Sequence, residues 1–281
     1  MSSSGAAAGL GLISAATWGG SDFVGGLGAR RAPALLVVCS GHLVSLFVLL
    51  AVCLGMKVAL PGAHPLIYAA LGGAEGAVAL AVFYRALAMG AMGLTAALTG
   101  LLTALVPVLF SLIHDGLPTP LTAAGLAMGC VAIWLISHSP RARGAGTPPL
   151  ALLLGALSGI GFGTQLILFK MAGGEGLLWP MTAARAAGVV AMVLVLLVKP
   201  PKCAWRGFWL TGIMAGMLDT FGNLVYFRAT ELGRLDVAAV VCSLYPAGTI
   251  LLAALVLREW PTRRQVGGMG VALVAVVLLS L

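Results

Sequence analysis

Ten apolar stretches, each long enough to cross a bilayer as a helix, follow one another along the 281 residues of this chain. They fall at about 6–28, 33–56, 64–89, 93–113, 119–138, 149–172, 177–198, 205–229, 235–257 and 262–281, divided by short breaks of Gly, Pro or charge. A helix closes its backbone hydrogen bonds within itself, so it is the spanning structure that runs of this length dictate. A barrel would show alternation over roughly ten-residue segments instead. Hydrophobic residues make up 60% of the chain and charged residues 9%, against roughly 45–50% and 25% in soluble domains. So few charges cannot cover a core of this size, which excludes a water-soluble enzyme and excludes disorder. The expected fold class is an all-α integral membrane protein. The spans and their loops use up the chain, and no soluble domain is expected. The opening MSSSGAAAGL has no positive n-region, and its apolar run continues too far for a cleavable signal.

A formal net charge of +8 would suggest nucleic acid in a soluble protein, but here the basic residues sit in short loops. That placement belongs to membrane orientation, so no nucleic-acid partner is expected. Five cysteines (Cys39, Cys53, Cys130, Cys203 and Cys242) show neither CxxC nor metal-ligand spacing, and four lie inside apolar runs. They read as packing residues. No metal site and no cofactor is expected. Glycine, at 39 residues, reads first as close helix packing.

The halves of the chain repeat. A shift of 143 residues lays FYRALAMG (83–90) on YFRATELG (226–233), placing Arg85 on Arg228, Ala86 on Ala229 and Gly90 on Gly233. The same ungapped shift pairs Gly73 with Gly216, Gly20 with Gly163, Pro118 with Pro261, Thr119 with Thr262 and Gly125 with Gly268. The polar, Pro- and Gly-rich SHSPRARGAGTPP (137–149) divides the chain near its middle. The domains expected are a first unit over 1–138, a linker over 139–148 and a second unit over 149–281, five spans in each. Five is odd, so the second unit inserts upside down relative to the first. Secondary transporters use such inverted repeats, with sites near mid-membrane where the two meet.

On these residues the chain resembles the drug/metabolite transporter superfamily, specifically its EamA-like members. The resemblance rests on ten helices as five plus five, TWGGSDF (17–23) in the first span, a Gly-rich third helix and the repeated Arg85 and Arg228. It covers the whole chain and implies movement of a small organic solute by alternating access without ATP. The absence of a GxxxxGK[ST] phosphate loop agrees with that.

An ionisable group at mid-membrane costs about 2.5–3.5 kcal/mol on insertion scales, so departures from apolarity are where function is expected. Six positions qualify: Asp22, His42, Glu75, Gln165, Arg185 and Asp219. The 143-residue shift lays Asp22 on Gln165 and His42 on Arg185, and it lays Glu75 on Leu218, beside Asp219. Both units are therefore expected to line one cavity. Asp219, Gly222, Asn223 and Tyr226 form a polar stripe at helical spacing, and Trp18, Ser21, Asp22 and Gly25 form another. The candidate substrate- and proton-binding set is Asp22, Glu75, Asp219, Arg185, His42, Gln165, Asn223, Trp18, Tyr226 and Tyr245. A structural ion pair of Arg185 with Glu75 or Asp219 is the competing reading. Arg85 and Arg228 sit near helix ends and read as snorkelling to headgroups.

Three interior carboxylates face one certain cation and cannot comfortably ionise together, so one is expected to bind and release a proton. The expected mechanism is proton-coupled transport, with Glu75 or Asp219 carrying the proton and Arg185 contacting substrate. The excess of carboxylates favours a cationic or zwitterionic solute, with Trp18, Phe162 or Tyr245 offering ring faces. Sugar-type uptake, lipid scrambling and a membrane-embedded enzyme are the alternatives; no HExxH or GxSxG is present for the last. Pro107 and Pro246 are expected to interrupt the fourth and ninth helices. The partners expected are the solute, a coupling proton or other ion, and membrane lipid, for a monomer in a bacterial-type cytoplasmic membrane.

The loops on the face reached by the first connection hold ten basic residues, Arg30, Arg31, Arg141, Arg143, Lys199, Lys202, Arg206, Arg258, Arg263 and Arg264; the other face has Lys57, Lys170 and Arg234. The positive-inside rule then puts both termini outside. The family resemblance implies both termini in the cytoplasm.

Overall fold

The structure is a computed structural model, and it describes residues 3–29, 31–89, 92–137, 148–174, 176–198, 200, 209–257, 260 and 262–280. Among these are eleven helices and no strand. In chain order they are α1 (Ser3–Ala29), α2 (Ala34–Gly55), α3 (Ala63–Ala88), α4 (Met92–His114), α5 (Pro120–Ser137), α6 (Pro149–Met171), α7 (Leu178–Val198), α8 (Trp209–Leu232), α9 (Leu235–Cys242), α10 (Tyr245–Leu257) and α11 (Arg263–Ser280). The expected linker lies almost wholly outside the described residues, as do residues 201–208 ahead of α8.

The ninth stretch is broken just before Pro246, where an interruption was expected. Its chain turns at Ser243 and Leu244, where Ser243 N–H donates to Ala239 and Leu244 N–H to Val241, and a new helix starts at Tyr245. Pro246 then sits in the first turn of α10, where its missing N–H costs little. Pro107 does not interrupt its helix. It is held inside the continuous α4.

Among the described residues, five helical stretches are long and apolar enough to cross a membrane: Ala34–Gly55, Ala63–Ala86, Pro149–Met171, Leu178–Val198 and Leu235–Val256, the last covering α9 and α10 together. Leu98–His114 and Pro120–Ile136 are shorter apolar helices. Large apolar side chains such as Phe47, Leu54, Leu71, Ile113, Leu197 and Leu255 stand exposed on the outside. A soluble monomer rarely leaves so much apolar surface uncovered, and a multi-pass protein needs it against lipid.

The interior is assembled by contacts between helices far apart in the chain. α1 lies along α8, α3 along α6 and α7, α2 along α7 and α8, and α5 along α11. Small residues permit the closest of these approaches. A Cβ on Gly216 would overlap the backbone of Gly41, where α8 crosses α2, and one on Gly73 would overlap the backbone of Ala184, where α3 crosses α7. Hydroxyls tie the crossings to backbone: Ser21 Oγ donates to Ala215 O (2.9 Å), Ser45 Oγ to Gly216 O (3.0 Å) and Thr99 Oγ1 to Gly155 O (2.9 Å). Each such bond satisfies a hydroxyl that would otherwise be stranded in an apolar medium.

At one end of the bundle, Asp236 is fully buried and receives Arg234 in a fork, Nε to Oδ1 at 3.1 Å and Nη2 to Oδ2 at 2.9 Å. Arg234 also reaches the carbonyl of Gly116 in the α4–α5 connection. The Asp236 carboxylate raises the Arg234 pKa above its ordinary value, so this corner is held by a permanent charge.

Candidate solute-binding cavity

α8 brings the first pieces of the site together because its polar residues recur every three or four positions and so share one face. Asn223 Nδ2 donates to Asp219 Oδ2 at 3.1 Å, one turn away. Asp219 Oδ2 in turn lies 2.7 Å from Arg185 Nη2 of α7. The contact is an ion pair rather than an aligned hydrogen bond, since Nη2 has the distance without the hydrogen-bond geometry. Arg185 Nη1 donates to His42 Nε2 of α2 at 3.1 Å. An arginine can only donate, so Nε2 holds the lone pair and the imidazole proton is on Nδ1. Arg185 and His42 are each 3% exposed, so this chain of polar groups is sunk in the bundle.

These groups form one wall of a narrow cavity of about 50 Å³. α1 contributes Trp18 and Asp22, α6 contributes Phe162 and Gln165, and Tyr245 enters from the start of α10. Eight of the ten sequence candidates thus meet around a single space: Trp18, Asp22, His42, Gln165, Arg185, Asp219, Asn223 and Tyr245. Asp22 forms no ion pair among the described residues. Four buried donors on residues of the wall, Trp18 Nε1, His42 Nδ1, Tyr245 Oη and Arg185 Nε, have no hydrogen-bond partner among the described residues. Buried polar atoms are nearly always satisfied, so four orphans on residues that line one cavity mark a place that a ligand or water can fill.

The other two candidates lie off the cavity. Tyr226 is fully buried behind Trp18, their ring centroids 5.9 Å apart, and its hydroxyl donates to Leu166 O at 3.1 Å. Its hydroxyl thus finds the partner that a buried tyrosine needs. Glu75 is half-buried on α3 beside Gly161 and Ala79. The next residue, Gly76, reaches the cavity instead and leaves room for Gln165: a Cβ there would overlap the Gln165 amide. Sequence reasoning missed Gly76, Leu80, Thr103 and Leu166 on the wall. Gly76 had a signal, since the 143-residue shift lays it on Asp219. The other three carried none: a wall of aliphatic atoms looks like any core, and Thr103 Oγ1 satisfies itself on Thr99 O within α4.

Arg85 is exposed near the end of α3, and Arg228 is exposed and paired with Glu231 at 2.7 Å.

Comparison with known proteins now adds to the geometry. Residues 149–281 match the EamA-like transporter family. The second half of the chain is therefore similar to membrane transporters of the drug/metabolite type; of the residues that carried the resemblance, Arg228 lies in that half, whereas TWGGSDF and Arg85 lie outside it. An uncharacterized protein of Methanocaldococcus jannaschii is 24% identical over 132 residues, which are 47% of this chain and 96% of the archaeal protein. That relative is thus about half as long as this chain. A solved protein structure, titled only as the crystal structure of a protein, superposes with a TM-score of 0.76 at 18% identity, over 97% of this chain and 95% of its own. It shares the fold of nearly the whole chain with the EamA-like half included.

Proposed function

We propose that this chain is a secondary active transporter of a small organic solute, working by alternating access and coupled to protons. Ten membrane helices, in two inverted five-helix units of the EamA-like kind, would form it. One observation carries the reading: His42 and Arg185, bonded to each other at the cavity wall, are 143 residues apart. That is the offset that lays one half of the sequence on the other. Residues exchanged by a two-fold axis can touch each other only beside that axis, so the cavity stands on it. The helix crossings support the same axis. Gly41 against Gly216 becomes Ala184 against Gly73 under the same shift, and α1 along α8 becomes α6 along α3. A relative about half this length supports one unit as a protein in its own right. Sites in inverted-repeat carriers lie where the units meet.

The chemistry of the wall suits a solute with polar ends. Arg185 offers Nε to an acceptor, Asp22 offers a carboxylate to an ammonium, and Trp18, Phe162 and Tyr245 offer ring faces. Amino acids, amines and similar metabolites have this character. Asp219 would carry the proton: protonation would release Arg185 from its ion pair and free the guanidinium for substrate. Both units lie in one chain, so the monomer holds a complete site in the cytoplasmic membrane.

The test is counterflow in proteoliposomes, with the solute chosen by a thermal-shift screen of amino acids, sugars, polyamines and quaternary ammoniums. The unaltered solute should exchange, and an imposed pH gradient should drive it. Asp219→Asn should lower pH-driven flux at least tenfold, while Glu75→Gln, off the cavity, should keep it within about twofold. Chemical alteration of the solute, or a wild-type pH response in Asp219→Asn, overturns the reading.

A further inference from the structure

The cavity is closed very differently at its two ends. Toward the α6–α7 connection, Leu166 and Trp18 are backed by Tyr226, and behind it the rings of Phe169 and Phe227 stack at 4.7 Å, both buried. Beyond that stack Lys170 Nζ donates to Thr230 O, tying the end of α6 to the end of α8. Only outside this tie does an open hollow begin, lined by Lys170, Arg228 and Glu231. Three layers of packed side chains thus separate cavity from exterior.

Toward the α1–α2 connection the barrier is thin. A small void of about 10 Å³, room for about one water, adjoins the cavity and shares His42, Leu80 and Asp219 with it. A third hollow of about 420 Å³, lined by Pro33, Arg85 and Met192, opens beyond. The smaller and the outer hollow share one residue, Tyr84. Its side chain is 2% exposed, and its buried hydroxyl has no partner among the described residues. The ring rests on the backbone of Gly25 in α1, where a Cβ would overlap the hydroxyl.

Under the 143-residue shift Tyr84 falls on Phe227, and Phe169 falls on Gly26. The residue that stacks on Phe227 therefore has no counterpart against Tyr84. A Cβ built at Gly26 meets nothing within 4 Å. We propose that Tyr84 is the gate on the α1–α2 face and that the Phe169–Phe227 stack is the matching gate on the opposite face. The Tyr84 gate is the looser one because Gly26 stands where the second unit has Phe169. The proposal rests on the two-unit reading above. It makes exit and entry unequal: the α1–α2 face opens by swinging one ring into space that glycine leaves free, whereas the other face must part an aromatic stack and a lysine tie.

The experiment places a reporter between cavity and gate, Leu80→Cys, and reads the rate at which a membrane-impermeant maleimide modifies the peptide carrying position 80. Sealed vesicles of each orientation are used, with mass spectrometry as the readout. On the Leu80→Cys background the reagent should react from the α1–α2 face only. Adding Tyr84→Ala should speed this at least tenfold, Gly26→Phe should slow it at least tenfold, and Phe227→Ala should open labelling from the opposite face. A Tyr84→Ala rate within twofold of the parent overturns the gate. If that variant does not fold, a parent rate in Gly26→Phe overturns it equally. Labelling needs no solute, so a chain that transports nothing in counterflow would still report on the gate, and the two failures are distinct.

Discussion

Arg185 is the residue on which the site's polar chain turns. It holds Asp219 at 2.7 Å on one side and His42 at 3.1 Å on the other, with 3% of its own side chain exposed. Arg185→Ala leaves Asp219 facing an apolar bundle without its counter-charge. Breaking a buried pair from one side costs about 3 kcal/mol or more, whereas replacing both members by neutral isosteres costs far less. Arg185→Ala should therefore lower the thermal midpoint clearly, and Arg185→Gln combined with Asp219→Asn should recover most of it. Solute flux should be lost in both. A double variant as unstable as the single one would show that the pair is not what links the two residues. These groups were legible in the sequence for the same energetic reason: a charge inside an apolar run is expensive, so Asp22, His42, Gln165, Arg185, Asp219 and Asn223 announced themselves. Glu75 announced itself as loudly yet lies off the cavity, because depth along a helix does not fix the face. The 143-residue shift does fix it: Glu75 falls on Leu218, whose side chain packs near Gly20, whereas Gly76 falls on Asp219.

At the scale of helices, close approach decides the architecture. α2 and α8 meet at Gly41 and Gly216, and what a new methyl at either would strike is backbone, which cannot swing aside. Gly216→Ala should therefore force the helices apart and destabilise by about 2 kcal/mol or more, on the scale of overpacked cores. Gly270→Ala in α11, with nothing within 4 Å of the new Cβ, should be neutral or stabilising by up to about 1 kcal/mol. Thermal unfolding of both variants in one detergent checks the contrast, and equal midpoints would remove the crossing from its place in the fold. The all-helical character was readable because apolar runs must close their hydrogen bonds internally. The break of the ninth stretch at Ser243 was readable only as a proline, and Pro107 shows why that signal is weak. In α4 the chain stays helical through its proline, whereas before Pro246 it turns. What differs is the tertiary setting, which no local pattern states.

For the whole molecule the open choice is which way it faces. The face that carries the α1–α2 connection has ten Lys and Arg in its loops by sequence, and the opposite face has three. Translocating loops resist carrying positive charge outward, so on the ten-span reading proposed above this imbalance predicts the first face in the cytoplasm and both termini outside. The anionic cytoplasmic leaflet adds attraction worth about 1 kcal/mol per basic residue near the surface, in the same direction. Two units related by an in-plane two-fold, as proposed above, would present nearly the same helical bundle to either side, so little besides these loop charges would oppose inversion. A C-terminal alkaline phosphatase fusion should then be active and a C-terminal green fluorescent fusion dark. Exchanging Arg263 and Arg264 for Gln, together with Lys199 and Lys202, narrows ten against three to six against three, and should produce a mixed population with both reporters partly active. A bright fluorescent fusion and an inactive phosphatase in the parent would place the termini inside, and the Tyr84 face would then be the external one.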